Sequence, residues 1–196
     1  MATLVASASA SLDGFVALPD DDPGPLFDWY SAGDVEVPNA GDLPPFHLTP
    51  TSAAHWRSWV ASLGCLLVGR RLFDLTDGWR GRHPLGVPVV VLTHERPSGW
   101  RYPGSEDFVF AATVGEAVDA ATAVAGERVV GVAAGQVATQ VRAAGLLDEV
   151  HVDLVPVFLG AGRRYFTDTS GPLLLGDPLE VVVSRRVTHL RFPARP

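Results

Sequence analysis

The sequence predicts an α/β sandwich whose central sheet is mostly parallel and carries an antiparallel edge. Short, wholly apolar runs recur along the 196 residues, as strands buried on both faces require. Most of them are followed by stretches with apolar residues at helical intervals. Only strand-like runs remain near the end of the chain, broken around Ser184 to Arg186 as in a hairpin.

Residues 3–10 are small and apolar on both faces and form the first strand, which ends at the turn-forming cluster Ser11-Leu12-Asp13-Gly14. Residues 19–50 are rich in Pro, Gly and Asp, yet carry Phe27, Trp29, Tyr30 and Phe46. A solvated linker seldom holds so many aromatics, so a flap packed over something is expected. Thr51 or Ser52 caps a helix reaching about Leu63, with Trp56, Trp59, Val60 and Leu63 as its apolar stripe. Residues 65–68 form a buried strand, and Gly69-Arg70-Arg71 opens a helix carrying Leu72 and Phe73. Two further apolar strands cover 87–92 and 108–111, followed by a helix over 114–124. Residues 128–133 form a strand, 135–143 a helix and 149–155 a strand, and a hairpin over 179–192 supplies the antiparallel edge. With no internal repeat, residues 1–196 are expected to form one domain.

Composition removes several functions. Net charge is −7 with neutral histidines, and no basic tract interrupts the acidic balance, which argues against nucleic acid. All 15 cations are arginine, so a Walker A loop, a pyridoxal Schiff base and a lysine general base are impossible. Cys65 is the only cysteine and no zinc-ligand His/Cys motif is present, so no disulfide and no metal site are expected. No apolar run approaches the roughly 20 residues of a membrane span. A basic region ahead of the apolar start is missing, because no Arg or Lys precedes Arg57. A cytoplasmic protein acting on a small molecule is expected.

Three strand-to-helix junctions are candidates for chemistry. Gly69-Arg70-Arg71 sets two guanidinium groups at a helix start, where free backbone N–H groups favour an anion. Thr93-His94-Glu95-Arg96 ends a strand with a hydroxyl, an imidazole and a guanidinium. Ala134-Gly135-Gln136-Val137 joins strand to helix through small residues that admit a ligand to the backbone. Each is ordinary surface or tight packing on its own. Together they would lie along the carboxyl edge of an open α/β sheet, where ligands bind. A G-x-G-x-x-G fingerprint is lacking, since Gly160-Ala161-Gly162 has no third glycine and follows a late strand.

On residues 149–155, period-2 alternation puts His151, Asp153 and Val155 on one face. That face either lines a cleft, placing Asp153 and His151 against substrate, or is covered by a helix or a second subunit. Asp13 is a second candidate acid, with turn formation as its simpler role. Trp29, Trp56 and Trp79 are candidates for stacking on a planar heterocycle, Trp56 also suiting the core. Arg163 and Arg164 either hold a substrate phosphate or are solvated.

At Ser11-Leu12-Asp13-Gly14-Phe15-Val16-Ala17, Leu67-Val68-Gly69-Arg70-Arg71-Leu72-Phe73 and Pro88-Val89-Val90-Val91-Leu92-Thr93-His94, the chain resembles the dihydrofolate reductase-like superfamily. With Ala144-Gly145-Leu146-Leu147-Asp148-Glu149-Val150 and Pro156-Val157-Phe158-Leu159-Gly160-Ala161-Gly162-Arg163-Arg164-Tyr165-Phe166, it resembles the branch of the C-terminal reductase domain of riboflavin biosynthesis enzymes (RibD) and their stand-alone relatives. The resemblance implies a three-layer sandwich, NADPH as cofactor, a small-molecule substrate and a homodimer. It implies that Arg70 helps hold the adenosine 2′-phosphate, with Thr93 and His94 in the same pocket and Gly69 and Arg71 as further cofactor contacts. Ala134, Gly135, Gln136 and Val137 would then lie against the pyrophosphate, and Ala8, Ser9, Val16 and Ala17 would border the nicotinamide. Asp153 and Asp13 are the candidate catalytic acids, and Trp29, His151 and Asp153 the candidate substrate contacts. The chain departs from the family at Ala133-Ala134, where consecutive glycines are common, and lacks an evident carboxylate on the helix after the flap, the nearest acid being Asp28. The implied activity is reduction of a small heterocyclic or carbonyl substrate, such as the ribosylamino-pyrimidine of riboflavin synthesis. The rival is a ligand-binding protein that kept the fold without turnover.

Overall fold

Small residues on both faces put β1 (Leu4–Ser11) at the centre of an eight-stranded sheet, where helices cover it on each side. The computed structural model describes residues 2–41, 43–167 and 171–194. After β2 (Phe15–Ala17) the flap contains a 3-10 helix over Gly24–Ser31 and the hairpin of β3 (Val35–Val37) with β4 (Phe46–Leu48). Then follow α1 (Pro50–Ser62), β5 (Leu63–Gly69), α2 (Arg70–Leu75), β6 (Val89–Leu92), β7 (Phe108–Ala111) and α3 (Val114–Ala125). The chain continues with β8 (Val129–Ala133), α4 (Gln136–Ala143), β9 (Glu149–Val155), β10 (Arg163–Arg164), β11 (Glu180–Ser184) and β12 (Val187–Pro193).

The sheet order is β11-β12-β9-β1-β8-β5-β6-β7. From β9 to β7 every pairing is parallel, and β12 and β11 add the antiparallel edge. Alternating side chains separate the two faces. Cys65, Leu67 and Val90 pack with α3 and α4 through Ala117, Ala121, Val137, Ala138 and Val141. Val68, Val89 and Val91 point the other way, to Phe73 of α2 and to Phe108. On that second face α1 and the flap cover β9 and β12 through Leu26, Trp29, Leu48, Ala53, Val155 and Val187. The result is a three-layer sandwich, and the Pro/Gly-rich flap is part of its core.

Local chemistry sets the boundaries. Thr49, not Thr51 or Ser52, caps α1: Pro50 suits the first helical position, and the Thr49 hydroxyl accepts from the Ser52 N–H. Thr113 and Glu116 form a capping box on α3, worth about 1 kcal/mol. Beyond α2 the backbone turns left-handed from Asp77 to Gly81, so Trp79 leaves the helical course and packs on His83. Burial pushes the Cys65 thiol up to about 11, which keeps it from acting as a nucleophile. Among the described residues no helix is long and apolar enough to cross a membrane.

His83 gives the fold an acid sensitivity. Its Nδ1 accepts from the Leu85 N–H at 3.1 Å, and burial lowers its pKa to about 3. Between the ordinary imidazole value and about 3, the unfolded chain binds a proton that the folded one refuses. Its contribution to stability is therefore complete at neutral pH and is lost as pH falls through that window, at no more than about 1.4 kcal/mol per pH unit. Urea unfolding of wild type and His83→Gln at pH 7, 5 and 4 is expected to show a flatter acid limb for the variant. Parallel curves would refute this assignment.

Candidate functional site

Because β5 pairs with both β6 and β8, the three strand-to-helix junctions come together at one edge of the sheet. Arg70 reaches across it: Nη1 donates to the Glu95 carbonyl at 2.9 Å and to Thr93 Oγ1 at 3.4 Å, while Nε is held by Asp74 at 2.7 Å. A Cβ at Gly69 would stand 2.9 Å from Val137 Cγ2, so the glycine lets the starts of α2 and α4 approach. Gly135, which caps α4, has φ 94° and ψ −140°, a conformation almost confined to glycine. Space in front of it is open, with no atom within 4 Å of its Cβ position. Neither Ala133 nor Ala134 has a positive φ, so the special conformation falls on Gly135 and the alanines fit without strain. Gln136 and Val137 form the first turn of α4, and Thr93, His94, Arg96 and Phe110 line an adjoining groove of about 380 Å³.

These residues fit a phosphorylated dinucleotide, with backbone donors and an open approach at Gly135 and guanidinium donors at Arg70 and Arg96. A larger groove of about 440 Å³ lies beyond α2 and is lined by Asp74, Asp77, Trp100 and Arg101 rather than by the helix start at Gly135. Arg71, expected beside the phosphates, is instead engaged by the flap. It pairs with Asp21, which also takes Arg163 Nε at 2.7 Å, and the two arginines hold that carboxyl far below its usual range. Arg163 is a surface arginine held by Asp21, and Arg164 lies over the Phe15 ring.

Ala8 and Ser9 of β1 and Val16 and Ala17 of β2 occupy the neighbouring edge. Ala8 and Val16 pack against the main core, and the Ala17 carbonyl sits where a Cβ on Gly162 would be, 2.0 Å away. Asp13 serves the turn. Its carboxylate accepts from Ser11 Oγ at 2.5 Å and from the Leu159 and Gly160 N–H groups at 3.1 and 2.7 Å, and the Ser11 bond leads in lowering its pKa. Those bonds leave it no role as an acid.

The polar face of β9 is covered by α1 rather than open to a cleft. His151 Nε2 lies 3.3 Å from Asp153 Oδ1, and His189 Nδ1 of β12 lies 2.6 Å from the same oxygen. His55 of α1 completes the group, its Nε2 being 3.1 Å from His151 Nε2. Burial alone would raise the Asp153 pKa, but hydrogen bonds from His151 and His189 outweigh it and keep the carboxylate ionised. Asp153 is therefore an acceptor and not a proton donor, and His151, 2% exposed, is closed off from a substrate. Trp29, expected to stack on substrate, is 1% exposed. Its Nε1 donates to Ser9 Oγ at 3.1 Å, and Tyr30, Trp56 and His189 pack on its ring.

Two members of this group escape a sequence reading. Ser52, His55 and Trp59 recur at helical spacing and form a second stripe on α1, masked by the stronger apolar one. His189 stands opposite Asp153 only through the β9–β12 register, which no local pattern reveals. Where the resemblance leads one to look for a carboxylate on the helix after the flap, α1 has no acidic residue and presents His55.

Comparison with solved structures places this geometry. A putative riboflavin biosynthesis protein from Shewanella sp. PV-4 superposes with TM-score 0.65 and 20% identity, covering 98% of both chains. Acinetobacter baumannii RibD gives 0.63 and 16%, over 98% of this chain and 58% of that one. A dihydrofolate reductase from Enterococcus faecalis, complexed with NADP(H) and RAB-propyl, gives 0.58 and 13%, over 97% and 95%. The fold is thus dihydrofolate reductase-like. Comparison with curated protein sequences gives no match. The sequence profile of the RibD C-terminal domain, however, matches residues 2–177, so the chain belongs to the RibD C-terminal domain family.

Proposed function

We propose that this chain is an NADPH-dependent reductase of a small heterocyclic or carbonyl compound, with a ribosylamino-pyrimidine of riboflavin synthesis as the first substrate to try. The observation that carries the proposal is the meeting of Arg70, Thr93 and the Glu95 carbonyl beside the open helix start at Gly135. Family membership supports reduction, and the NADP(H) complex of the Enterococcus faecalis enzyme supports the cofactor.

When bound, NADPH supplies a hydride from its nicotinamide. Arg70 and Arg96 would hold the 2′-phosphate that distinguishes it from NADH, and the N–H groups opening α4 would hold the pyrophosphate. Ala8, Ser9, Val16 and Ala17 would set the nicotinamide edge. The Asp21 clasp on Arg71 and Arg163 ties the base of the flap to α2 and β10. Neither Asp13 nor Asp153 is placed to supply a proton, so in this proposal water at the reacting atom supplies it and rate rests on alignment.

Fluorescence titration with NADPH tests the proposal. Arg70→Ala is expected to weaken NADPH binding about 10- to 100-fold, the effect of losing a charge-assisted hydrogen bond of about 1.5–3 kcal/mol. NADH binding should change little. Absence of NADPH binding, or equal losses for both cofactors, would overturn the assignment. Binding with no oxidation of NADPH by any carbonyl or heterocyclic acceptor would favour the non-catalytic reading instead.

A further inference from the structure

We infer that His55, His151, Asp153 and His189 form a closed binding site for one zinc-class divalent cation, clamping α1 onto β9 and β12. The four donor atoms come from three elements and all lie within 4.8 Å of one another. Their close edges are 2.6 Å (His189 Nδ1 to Asp153 Oδ1), 3.1 Å (His55 Nε2 to His151 Nε2) and 3.3 Å (His151 Nε2 to Asp153 Oδ1). A tetrahedral zinc ion with ligands at about 2.0–2.1 Å needs donor separations of about 3.3 Å. The donors, spread over as much as 4.8 Å, must close up, and the stacked His55 and His189 rings, 4.1 Å between centroids, must turn to bring both lone pairs onto one ion.

The outward nitrogens argue for the same assignment. His55 Nδ1 faces Glu180 Oε1 at 3.2 Å, and His189 Nε2 faces Ser52 Oγ at 3.0 Å. The Glu180 carboxylate holds the proton on His55 Nδ1 and turns the Nε2 lone pair inward, while Ser52 Oγ can accept a proton from His189 Nε2 once an ion displaces the His189–Asp153 hydrogen bond, the usual outer support of metal-bound histidines. With an ion bound, the inward nitrogens of His55 and His189 would face it with lone pairs, and the cation would take the place of the hydrogen bonds that His151 and His189 now give to Asp153. His151 Nδ1 is buried with no hydrogen-bond partner among the described residues, which leaves Nε2 as this ring's polar contact within the group.

Ligand type selects the ion. Three imidazoles and one carboxylate suit zinc or cobalt(II) and are poor for calcium or magnesium, which prefer six or more oxygens. The side chains are 7%, 2%, 9% and 0% exposed in the order His55, His151, Asp153, His189, so four protein donors fill the site and leave no open position. That is the pattern of a structural metal. The ion would fasten α1, and the flap seated on it, to the antiparallel edge. The inference stands apart from the reductase proposal, whose cofactor residues lie on other strands.

Full-length protein freed of metal by chelation and titrated with cobalt(II) is the test. One equivalent per chain is expected to produce the visible absorption of tetrahedral cobalt and to raise the melting temperature, with zinc displacing the colour. His55→Gln is expected to abolish the colour, and exposed His47→Gln to leave it unchanged. Glu180→Gln, which keeps every ligand, is expected to weaken cobalt binding about 10- to 100-fold. The inference is overturned if folded wild-type protein gives no stoichiometric tetrahedral spectrum, or if His55→Gln or Glu180→Gln binds like wild type. Because NADPH titration uses different residues, such a failure would leave the cofactor assignment standing.

Discussion

Trp29→Ala is expected to lower the free energy of unfolding by about 3–5 kcal/mol, the range for truncating a buried large aromatic. The ring is 1% exposed and wedged among Tyr30, Trp56 and His189, so its loss leaves a cavity between the flap and β12. Ser9, itself buried, also loses the donor that Trp29 Nε1 provides, which adds the cost of one buried hydrogen bond. Urea unfolding checks this against Phe27→Ala, whose side chain is exposed and which should stay within about 0.5 kcal/mol of wild type. Equal effects would show that the flap carries no core contact of consequence. If the reductase proposal holds, Trp29→Ala should also lower turnover more than NADPH affinity, because Arg70 and Gly135 are untouched while the flap loses its anchor.

Gly33→Ala is expected to cost about 3 kcal/mol, the upper end for overpacking, through steric overlap alone. Gly33 has no positive φ, so conformational freedom is not the issue. Its Cβ would fall 2.2 Å from the carbonyl carbon and oxygen of Leu48 and from the Thr49 nitrogen, all main-chain atoms that no rotamer change can move. The Gly33 N–H also donates to the His47 carbonyl at 2.9 Å, so relief by separating the strands breaks that bond. Thr49 caps α1, and the strain would pass directly into the helix that bears His55. Gly115→Ala is the comparison: nothing lies within 4 Å of its Cβ position on α3, and helix propensity should leave stability unchanged or raise it by up to about 1 kcal/mol. Thermal unfolding of the two variants should therefore move in opposite directions or differ by several degrees; coincident melting curves would refute the steric account.

The edge proposed to hold the cofactor is legible in the sequence because its parts are local. A strand followed by Gly69-Arg70-Arg71, or by Ala134-Gly135, declares itself in a few consecutive residues, and in a parallel sheet such junctions share an edge whatever the strand order. The pairing of Arg71 with Asp21 is not legible, because Asp21 lies fifty residues earlier in the flap and pairing at that separation leaves no trace in local spacing. For His151 and Asp153 alternation identified the face correctly and left open what covers it. The cover is α1, whose polar stripe of Ser52 and His55 is what meets β9 and β12.

Periodicity and turn chemistry alone determined the succession of the main-sheet strands and the helices α1 to α4, the buried apolar faces and the helix-start candidates, because each depends on neighbours within one or two turns of chain, whereas the short strands β2, β3, β4 and β10 left no such pattern. Tertiary structure decided which polar groups meet. Asp153 faces His189 through strand register and His55 through a helix laid across the sheet, and both contacts arise only when distant apolar surfaces are buried together.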